Sequence, residues 1–126
     1  MTKTEDSKIV YLACPYTDLS AEVRDQRFHA ATKAAAALIS QGHIVFSPIT
    51  MTHPIDTVMA GVAGTLGSEF WVAYDEAFMS FCSELAIVKV SGWDKSAGIA
   101  RERLFFEARS LPIWFVDPDT GARADG

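Results

Sequence analysis

One segment of this chain, residues 91–102, combines residue types and a spacing that suit an anion bound beside a carboxylate. Ser96 is well placed to cap a helix, Gly98 falls in its first turn, and Glu102 lies one turn further along the same face. The free backbone amides at a helix start favour a phosphate, and a glycine leaves room for a sugar above the carboxylate. The segment therefore predicts a nucleotide-shaped slot, although an ordinary capped surface helix with Glu102 facing water has the same spacing.

Glu102 has no cationic partner at helical spacing, whereas Glu107 has Arg103 four residues before it. The neighbours of Glu102 three and four residues away are Gly98, Ile99, Phe105 and Phe106. A carboxylate on an apolar stripe lies at a rim or in a pocket, and a pocket carboxylate is a candidate nucleophile or acid/base group. Asp75 also has apolar neighbours three and four residues away. The adjacent Glu76 meets this criterion almost as well, so the criterion does not discriminate between the two residues.

The elements that must position these residues follow from the alternation of short apolar runs with amphipathic stretches. The predicted strands are residues 9–14, 43–46, 85–90 and 112–116, and the predicted helices are 20–41, 69–81 and 96–110. This order predicts an α/β fold, a Rossmann/flavodoxin-like open parallel sheet of four to five strands with helices on both faces. Ligands in such sheets bind at the carboxyl ends of the strands, here around residues 14–16, 47–53 and 91–96.

The remaining segments are predicted as connections. Residues 47–67 contain Pro48, Pro54 and three glycines, which favours a long loop. Residues 1–7 and 118–126 are predicted as flexible tails of a single domain spanning 1–126.

Composition excludes several classes of partner. Eleven Lys and Arg against sixteen Asp and Glu give a net charge of −5, and no basic run exceeds a pair, so neither a nucleic-acid polymer nor a membrane surface is expected. The two cysteines, Cys14 and Cys82, lack the spacing of a disulfide framework or a zinc site, which favours a reducing cytoplasm. We expect no metal and no organic cofactor.

Four features of the sequence resemble the nucleoside 2-deoxyribosyltransferase-like superfamily, over about residues 8–117. They are Tyr11-Leu-Ala-Cys-Pro15, Gly-His-Ile-Val-Phe-Ser-Pro48, Trp71 with Asp75, and Gly92-Trp-x-x-Ser-x-Gly-x-x-x-Glu102. Within the superfamily the chain is most similar to small bacterial and phage members. The resemblance implies cleavage of an N-glycosidic bond between a ribosyl or deoxyribosyl unit and a base, by hydrolysis or by transfer to another base.

The resemblance also assigns roles. Glu102 matches the nucleophile, Asp75 an acid that assists at the base or sugar, and Tyr11 a residue near the nucleophile. Gly92, Trp93 and Trp71 fall in its substrate-binding segments. A core tyrosine with a satisfied hydroxyl is the alternative for Tyr11.

Ser96 and Gly98 match the phosphate-contacting pair of deoxynucleoside 5′-monophosphate hydrolases, whereas nucleoside transferases more often carry an acid at the position of Ser96. This departure favours a nucleotide over a nucleoside. Whether Asp94, two residues earlier, replaces that acid stays open.

The chemistry can be stated without the family. Departure of a base builds positive charge at C1′ of the sugar, so a carboxylate on the opposite face stabilises that charge and traps the sugar as an ester. The leaving base needs a proton or hydrogen bond from a second group, for which Asp75 is the candidate. A phenol hydrogen bond from Tyr11 would hold Glu102.

Three further residues have two interpretations each. Arg24 or Arg27 on the first helix can reach a phosphate or remain solvated. His53 can line the pocket or be an exposed loop histidine. Trp93 can stack on a base or cover the edge of the sheet.

We therefore expect a cytoplasmic N-glycosidase acting on a nucleotide or nucleoside. A non-catalytic nucleotide-binding module is the alternative, and an oligomeric structural protein of the same fold is a third. The apolar helix around residues 70–81 predicts a homodimer or higher homo-oligomer with shared active sites, tested by placing a charge at Phe78.

Overall fold

The structure, a computed structural model, describes residues 8–59 and 68–125, so the predicted tail 1–7 lies outside the described residues. Its elements in chain order are β1 (Ile9–Ala13), α1 (Ala21–Ser40), β2 (Ile44–Phe46), α2 (Pro48–Met59), α3 (Ser68–Met79), β3 (Glu84–Val88), α4 (Ala97–Ala108), β4 (Ile113–Val116) and β5 (Arg123–Ala124). A short 3-10 helix, Trp93–Lys95, precedes α4. No helix in the described part of the chain has both the length and the hydropathy needed to cross a membrane.

The strands form one sheet in the order β2-β1-β3-β4-β5, in which the first four are parallel and β5 is antiparallel. The predicted open α/β sheet is thereby confirmed, and its order is flavodoxin-like. Because the chain reverses its direction of winding between β1 and β3, the helices that follow these two strands diverge and leave a crevice at their carboxyl ends.

Alternate residues of each strand enter two separate cores. Val10 and Leu12 of β1 pack with α1, whereas Tyr11 and Ala13 pack with the side chains of α3 and α4. Ala31, Ala34 and Ala35 are buried on α1, and these small side chains allow close packing on the sheet. Helices therefore cover both faces, as the alternation of elements predicts.

The prediction of a loop over residues 47–67 is wrong for its first part, because residues 48–59 form α2. Pro48 is the first helical residue, where a missing N–H is harmless and the fixed φ suits a helix. The helix begins with a hydrogen bond from the Met51 N–H to the Ser47 carbonyl, 3.3 Å. Pro54 removes one hydrogen bond inside the helix without ending it. Residues 60–67 lie outside the described part.

Residues 118–125, predicted as part of a flexible tail, form a turn and the short strand β5. The Asp117 carboxylate accepts from the N–H groups of Asp119 and Thr120 at 2.8 and 2.9 Å, which closes a turn. Gly121, with φ of 73°, then brings the chain against Ala37 of α1, and Arg123–Ala124 pairs with β4. Backbone pairing and a side-chain-stabilised turn thus order a segment whose composition indicates only a turn.

Candidate active site

A cavity of about 750 Å³ opens above the carboxyl ends of β1 and β3, a volume within the range of small-molecule sites. Its walls come from the loop after β1, one face of α2, one face of α3, and the segment that leads from β3 into α4. These are the strand ends at which the sequence predicts a ligand. The lining includes Cys14, Tyr16, Arg27, Ile49, Thr52, Asp56, Trp71, Asp75, Gly92, Lys95, Ser96, Gly98, Arg101 and Glu102.

Glu102 lies on the second turn of α4 and its carboxylate lines the cavity. The phenol of Tyr11 donates a hydrogen bond to Glu102 Oε2 at 2.7 Å. Tyr11 is fully buried in β1, and its ring packs against Phe46 and Phe106. The predicted Tyr11–Glu102 hydrogen bond is therefore confirmed, and a rigid strand holds the donor.

The pKa of the Glu102 carboxyl is raised to about 8, chiefly by burial and also by the charge of Asp75, against the lowering effects of the Tyr11 hydrogen bond and Arg101. Glu102 lines the cavity and is half-buried as a residue. Burial and the Glu102 charge raise the pKa of Tyr11, so its phenol keeps its proton. The hydrogen bond therefore has a defined donor.

Asp75, on α3, lines the same cavity from a different wall. Burial raises its pKa to about 6, while the guanidinium of Arg101 lowers it. Two carboxyl groups with raised pKa values thus face one cavity, and repulsion between them disfavours ionisation of both. At neutral pH this pair holds about one proton.

The beginning of α4 forms one end of the cavity. Ser96 caps the helix, its Oγ accepting from the Ile99 N–H at 3.2 Å, as the sequence predicts. Ser96, Gly98 and Lys95 line the cavity, so a helix N-terminus and a cation face the same space. A Cβ on Gly98 would meet only ordinary contacts, at 3.7 Å or more, so packing within the protein does not require glycine there.

Arg27, not Arg24, is the α1 arginine at the cavity. Its Nη1 donates to the Thr17 carbonyl at 3.1 Å, and its Nη2 would lie 2.9 Å from a Cβ built on Gly92. Gly92 also has φ of 94°, so the backbone conformation favours glycine there, whereas the flexible Arg27 side chain could shift away from a Cβ. Arg24 instead donates to the carbonyl of Asp18 and does not line the cavity.

Two of the predicted substrate-binding residues lie elsewhere. The Trp93 ring packs edge-on against Phe115, 4.9 Å between centroids, with Lys89 over its face, because the short 3-10 helix turns it toward β4. Asp94 is exposed and does not line the cavity. Trp93 therefore packs on β4, which is not an edge strand, and neither Trp93 nor Asp94 lines the cavity. Trp71 does line the cavity.

His53 is beside the cavity wall without being part of it. Its Nδ1 is 2.7 Å from the hydroxyl of Tyr16, which does line the cavity. The histidine side chain is 14% exposed, because it is stacked on Phe28 with 4.5 Å between ring centroids. His53 is thus neither an exposed loop residue nor a direct lining residue.

Sequence reasoning missed the contribution of α2 to the cavity. Ile49, Thr52 and Asp56 line it and follow one another at steps of three and four residues. This is the spacing of one helix face. Reading Pro48 and Pro54 as loop residues concealed it.

Cys14 lines the cavity, but burial raises the pKa of its thiol to about 12. The reactive form of a cysteine is the thiolate. The Cys14 thiol is therefore protonated near neutral pH, which leaves Glu102 and Asp75 as the candidate reactive groups with raised pKa values.

The family model described as "Domain of unknown function (DUF1937)" matches residues 8–117. The match covers most of the chain and every element that lines the cavity, so the chain belongs to this family. No curated protein matches it.

Proposed function

We propose that this chain cleaves the N-glycosidic bond of a nucleoside 5′-monophosphate, or of a related nucleoside, through a covalent sugar ester on Glu102. One observation carries the proposal. Glu102 lines the cavity and accepts a hydrogen bond from the buried Tyr11 at 2.7 Å, and Asp75 lines the same cavity. One carboxyl group to form the ester and one to exchange a proton are what a retaining mechanism needs.

In the first step Oε1 of Glu102, the oxygen not bonded to Tyr11, attacks C1′ of the sugar. The C1′–N bond breaks, its electron pair goes to the base nitrogen, and the Asp75 carboxyl supplies a proton to the base. In the second step water, or a second base, attacks C1′ and gives its proton to the Asp75 carboxylate. The ester bond breaks and Glu102 is free again.

With a pKa of about 6 for Asp75 and about 8 for Glu102, the one proton that the pair holds between these pH values lies mainly on Glu102 in the empty site. The scheme therefore proceeds through the minor form of the pair, in which Glu102 is ionised and Asp75 carries the proton. A Glu102 carboxylate formed in this enclosed site is poorly stabilised before reaction. Positive charge that develops at C1′ therefore stabilises the carboxylate more strongly in the transition state than any group does before reaction.

The end of the cavity at α4 supports a phosphate as part of the substrate. Ser96 keeps its hydroxyl proton free to donate while its oxygen caps the helix, and the guanidinium of Arg27 contributes charge. The space around Gly98 is not filled by the protein, which suits a sugar phosphate lying over the helix start.

The test is incubation of the purified protein with a panel of nucleosides and 5′-monophosphates, with released bases identified by chromatography. We expect base release from at least one 5′-monophosphate, and intact-mass measurement of the quenched reaction should show the protein plus one sugar phosphate. Base release without an adduct on a Glu102-containing peptide would contradict the covalent scheme.

One observation favours a second function, that of a non-catalytic nucleotide-binding module. With its pKa near 8, Glu102 is mostly protonated at neutral pH in the empty site and is then a hydrogen-bond donor to a ligand. Binding of a nucleotide by calorimetry with no base release over many hours would favour this alternative.

A homodimer is part of the proposal. Met51 and Ile55 of α2 and Phe70 of α3 are 41–43% exposed, and Tyr74 joins them by a 3.7 Å contact from its hydroxyl to Met51 Sδ. Phe78 is unsuited to test this, because it stacks on Phe46 of its own sheet, 4.6 Å between centroids. Light scattering of the wild type should show a dimer and Phe70→Glu a monomer; a wild-type monomer with full activity would end this part of the proposal.

A cytoplasmic location is also proposed. Cys14 and Cys82 are both free and buried, which suits a reducing compartment.

A further inference from the structure

A chain of polar contacts runs from the surface of α1 to the wall of the cavity. Asp25 Oδ1 of α1 lies 3.5 Å from Nε2 of His53 on α2, and Nδ1 of His53 lies 2.7 Å from the Tyr16 hydroxyl. Tyr16, in the loop after β1, lines the same cavity as Glu102. Three separate elements of the fold therefore meet at one imidazole.

The imidazole is held by aromatic packing as well. Its ring is nearly parallel to that of Phe28, at 29°, and meets the Tyr16 ring edge-on, at 77°. His29, the other histidine near Asp25, is 3.4 Å from that carboxylate, but its own side chain is 70% exposed. His53 is thus the enclosed partner of Asp25, and His29 the exposed one.

The direction of the hydrogen bonds follows from the chemistry of the partners. An ionised carboxylate only accepts, so Asp25 favours a hydrogen on Nε2 of His53. In the tautomer with its hydrogen on Nε2, Nδ1 has a lone pair and accepts the hydroxyl hydrogen of Tyr16. The phenol hydrogen is then engaged by His53, and the phenol oxygen presents a lone pair to the cavity.

The charged groups around the phenol support this direction. Burial and the carboxylate of Asp56 raise the pKa of Tyr16, while Arg24 lowers it, so the phenol is neutral. Asp56 lines the cavity beside Tyr16 and, when ionised, is another group that only accepts. Arg24 acts on the phenol as a cation and a side-chain hydrogen-bond donor, and it also donates to the Asp18 carbonyl from outside the cavity lining. Within the lining itself, the Tyr16 oxygen and the Asp56 carboxylate are the hydrogen-bond acceptors of this wall.

We infer that the Asp25–His53–Tyr16 chain fixes the Tyr16 phenol oxygen as a hydrogen-bond acceptor for the bound base, so that the site selects an amino-bearing base over its oxo counterpart. This inference rests on the proposed function, because it assumes that a nucleotide occupies the cavity. Tyr16 is the specificity-determining residue, and His53 and Asp25 are positioning residues that act through it.

The experiment measures binding by calorimetry in the Glu102→Gln protein, which prevents turnover. The probes are two amino/oxo pairs, the 2′-deoxy 5′-monophosphates of adenine and hypoxanthine and of cytosine and uracil, together with 2-deoxyribose 5-phosphate. The amino member of a bound pair should bind about tenfold more tightly, the size of one hydrogen bond.

Two variants test the chain. Tyr16→Phe keeps the ring and should bring the amino/oxo ratio to within about twofold of one, without changing the affinity for 2-deoxyribose 5-phosphate. His53→Phe keeps a ring to stack on Phe28 but removes both nitrogens, and it should lower the ratio although the phenol is still present. His29→Gln is the matched control, since it alters the exposed partner of Asp25 and should leave the ratio unchanged.

The outcomes separate this inference from the proposed function. If none of the five probes binds, both the proposed function and this inference are overturned. Binding with no amino preference, or with a ratio that survives Tyr16→Phe, overturns the inference alone. An equal loss for every probe, including the sugar phosphate, shows that Tyr16 has a purely structural role and also overturns it.

Discussion

The two faces of the sheet are built from the same strands, yet one is a uniform core and the other includes a polar group. On the α1 face, Val10 and Leu12 of β1 meet alanines and Leu38, all apolar and almost without exposure. On the α4 face, Tyr11 occupies the intervening position and donates to Glu102. Because side chains alternate along a strand, a hydrogen-bond donor can be built into one face while the packing of the other is undisturbed.

The comparison predicts that substitutions on the α4 face alter chemistry and that substitutions on the α1 face alter stability. The largest expected effect is that of Glu102→Gln, which should lower kcat/KM by roughly three to five orders of magnitude because an amide does not form the sugar ester. The variant should fold, since the amide oxygen still accepts from Tyr11. Base release within about tenfold of wild type would place the nucleophile elsewhere.

Asp75→Asn should change the shape of the pH profile as well as the rate. For the wild type, kcat/KM should rise through about pH 6 and fall through about pH 8, because only the pair with one proton is active. In the variant no proton is lost from position 75, so the fall at high pH should disappear, with a rate about 10²–10³-fold lower. Glu76→Gln, on the same helix but outside the cavity lining, is the control. An alkaline limb that persists in Asp75→Asn would contradict the assignment.

Leu38→Ala tests the opposite face. Leu38 is 1% exposed in the α1 core, so the lost burial and the cavity left behind should destabilise the protein by about 3 kcal/mol. The effect should be seen in denaturant unfolding, while kcat/KM at a temperature where the protein is folded stays within about twofold. Leu104→Ala, at a position 67% exposed on α4, should be close to neutral in both measurements.

Glu102→Gln should have the opposite effect on stability. With the pKa of Glu102 raised from an ordinary 4.5 to about 8, the folded state keeps a proton that the unfolded state loses between these values. Wild-type stability therefore falls as pH rises from about 4.5 to 8, and the variant escapes this loss. The variant should exceed wild type by roughly 2–4 kcal/mol at pH 8 and by little at pH 4.5, measured by denaturant unfolding. An equal difference at both pH values would show that burial does not perturb this carboxyl.

The sequence was sufficient for the parts of the fold and site that depend on local pattern. Apolar runs and helix caps located β1, β3, α4 and the Ser96 cap, and the absence of a cation near Glu102 indicated a pocket carboxylate. Asp75 could not be separated from Glu76 by spacing, because only packing decides which of two adjacent helix residues faces the cavity.

The errors arose where long-range contacts override local signals. Pro48 and Pro54 concealed α2, since a proline at a helix start and one inside a helix resemble loop residues in sequence. The choice between Arg24 and Arg27 depends on Gly92, 65 positions away from Arg27 in the chain, which leaves space for the Arg27 guanidinium. The His53–Tyr16 hydrogen bond joins residues 37 apart and likewise has no local signal.

The smallest expected effect concerns the start of α4, at the end of the cavity where we propose that the phosphate binds. Aspartate caps helices as well as serine does, so Ser96→Asp should keep α4 intact while placing a negative charge beside the bound phosphate. We expect a 5′-monophosphate to bind about tenfold more weakly and the corresponding nucleoside to change by less than about twofold, measured by calorimetry in the Glu102→Gln protein. Ser96→Asn is the matched control, because it caps the helix without a charge and should spare both ligands. If the nucleoside weakens as much as the monophosphate, the effect is loss of local structure, and the phosphate does not lie at this helix start.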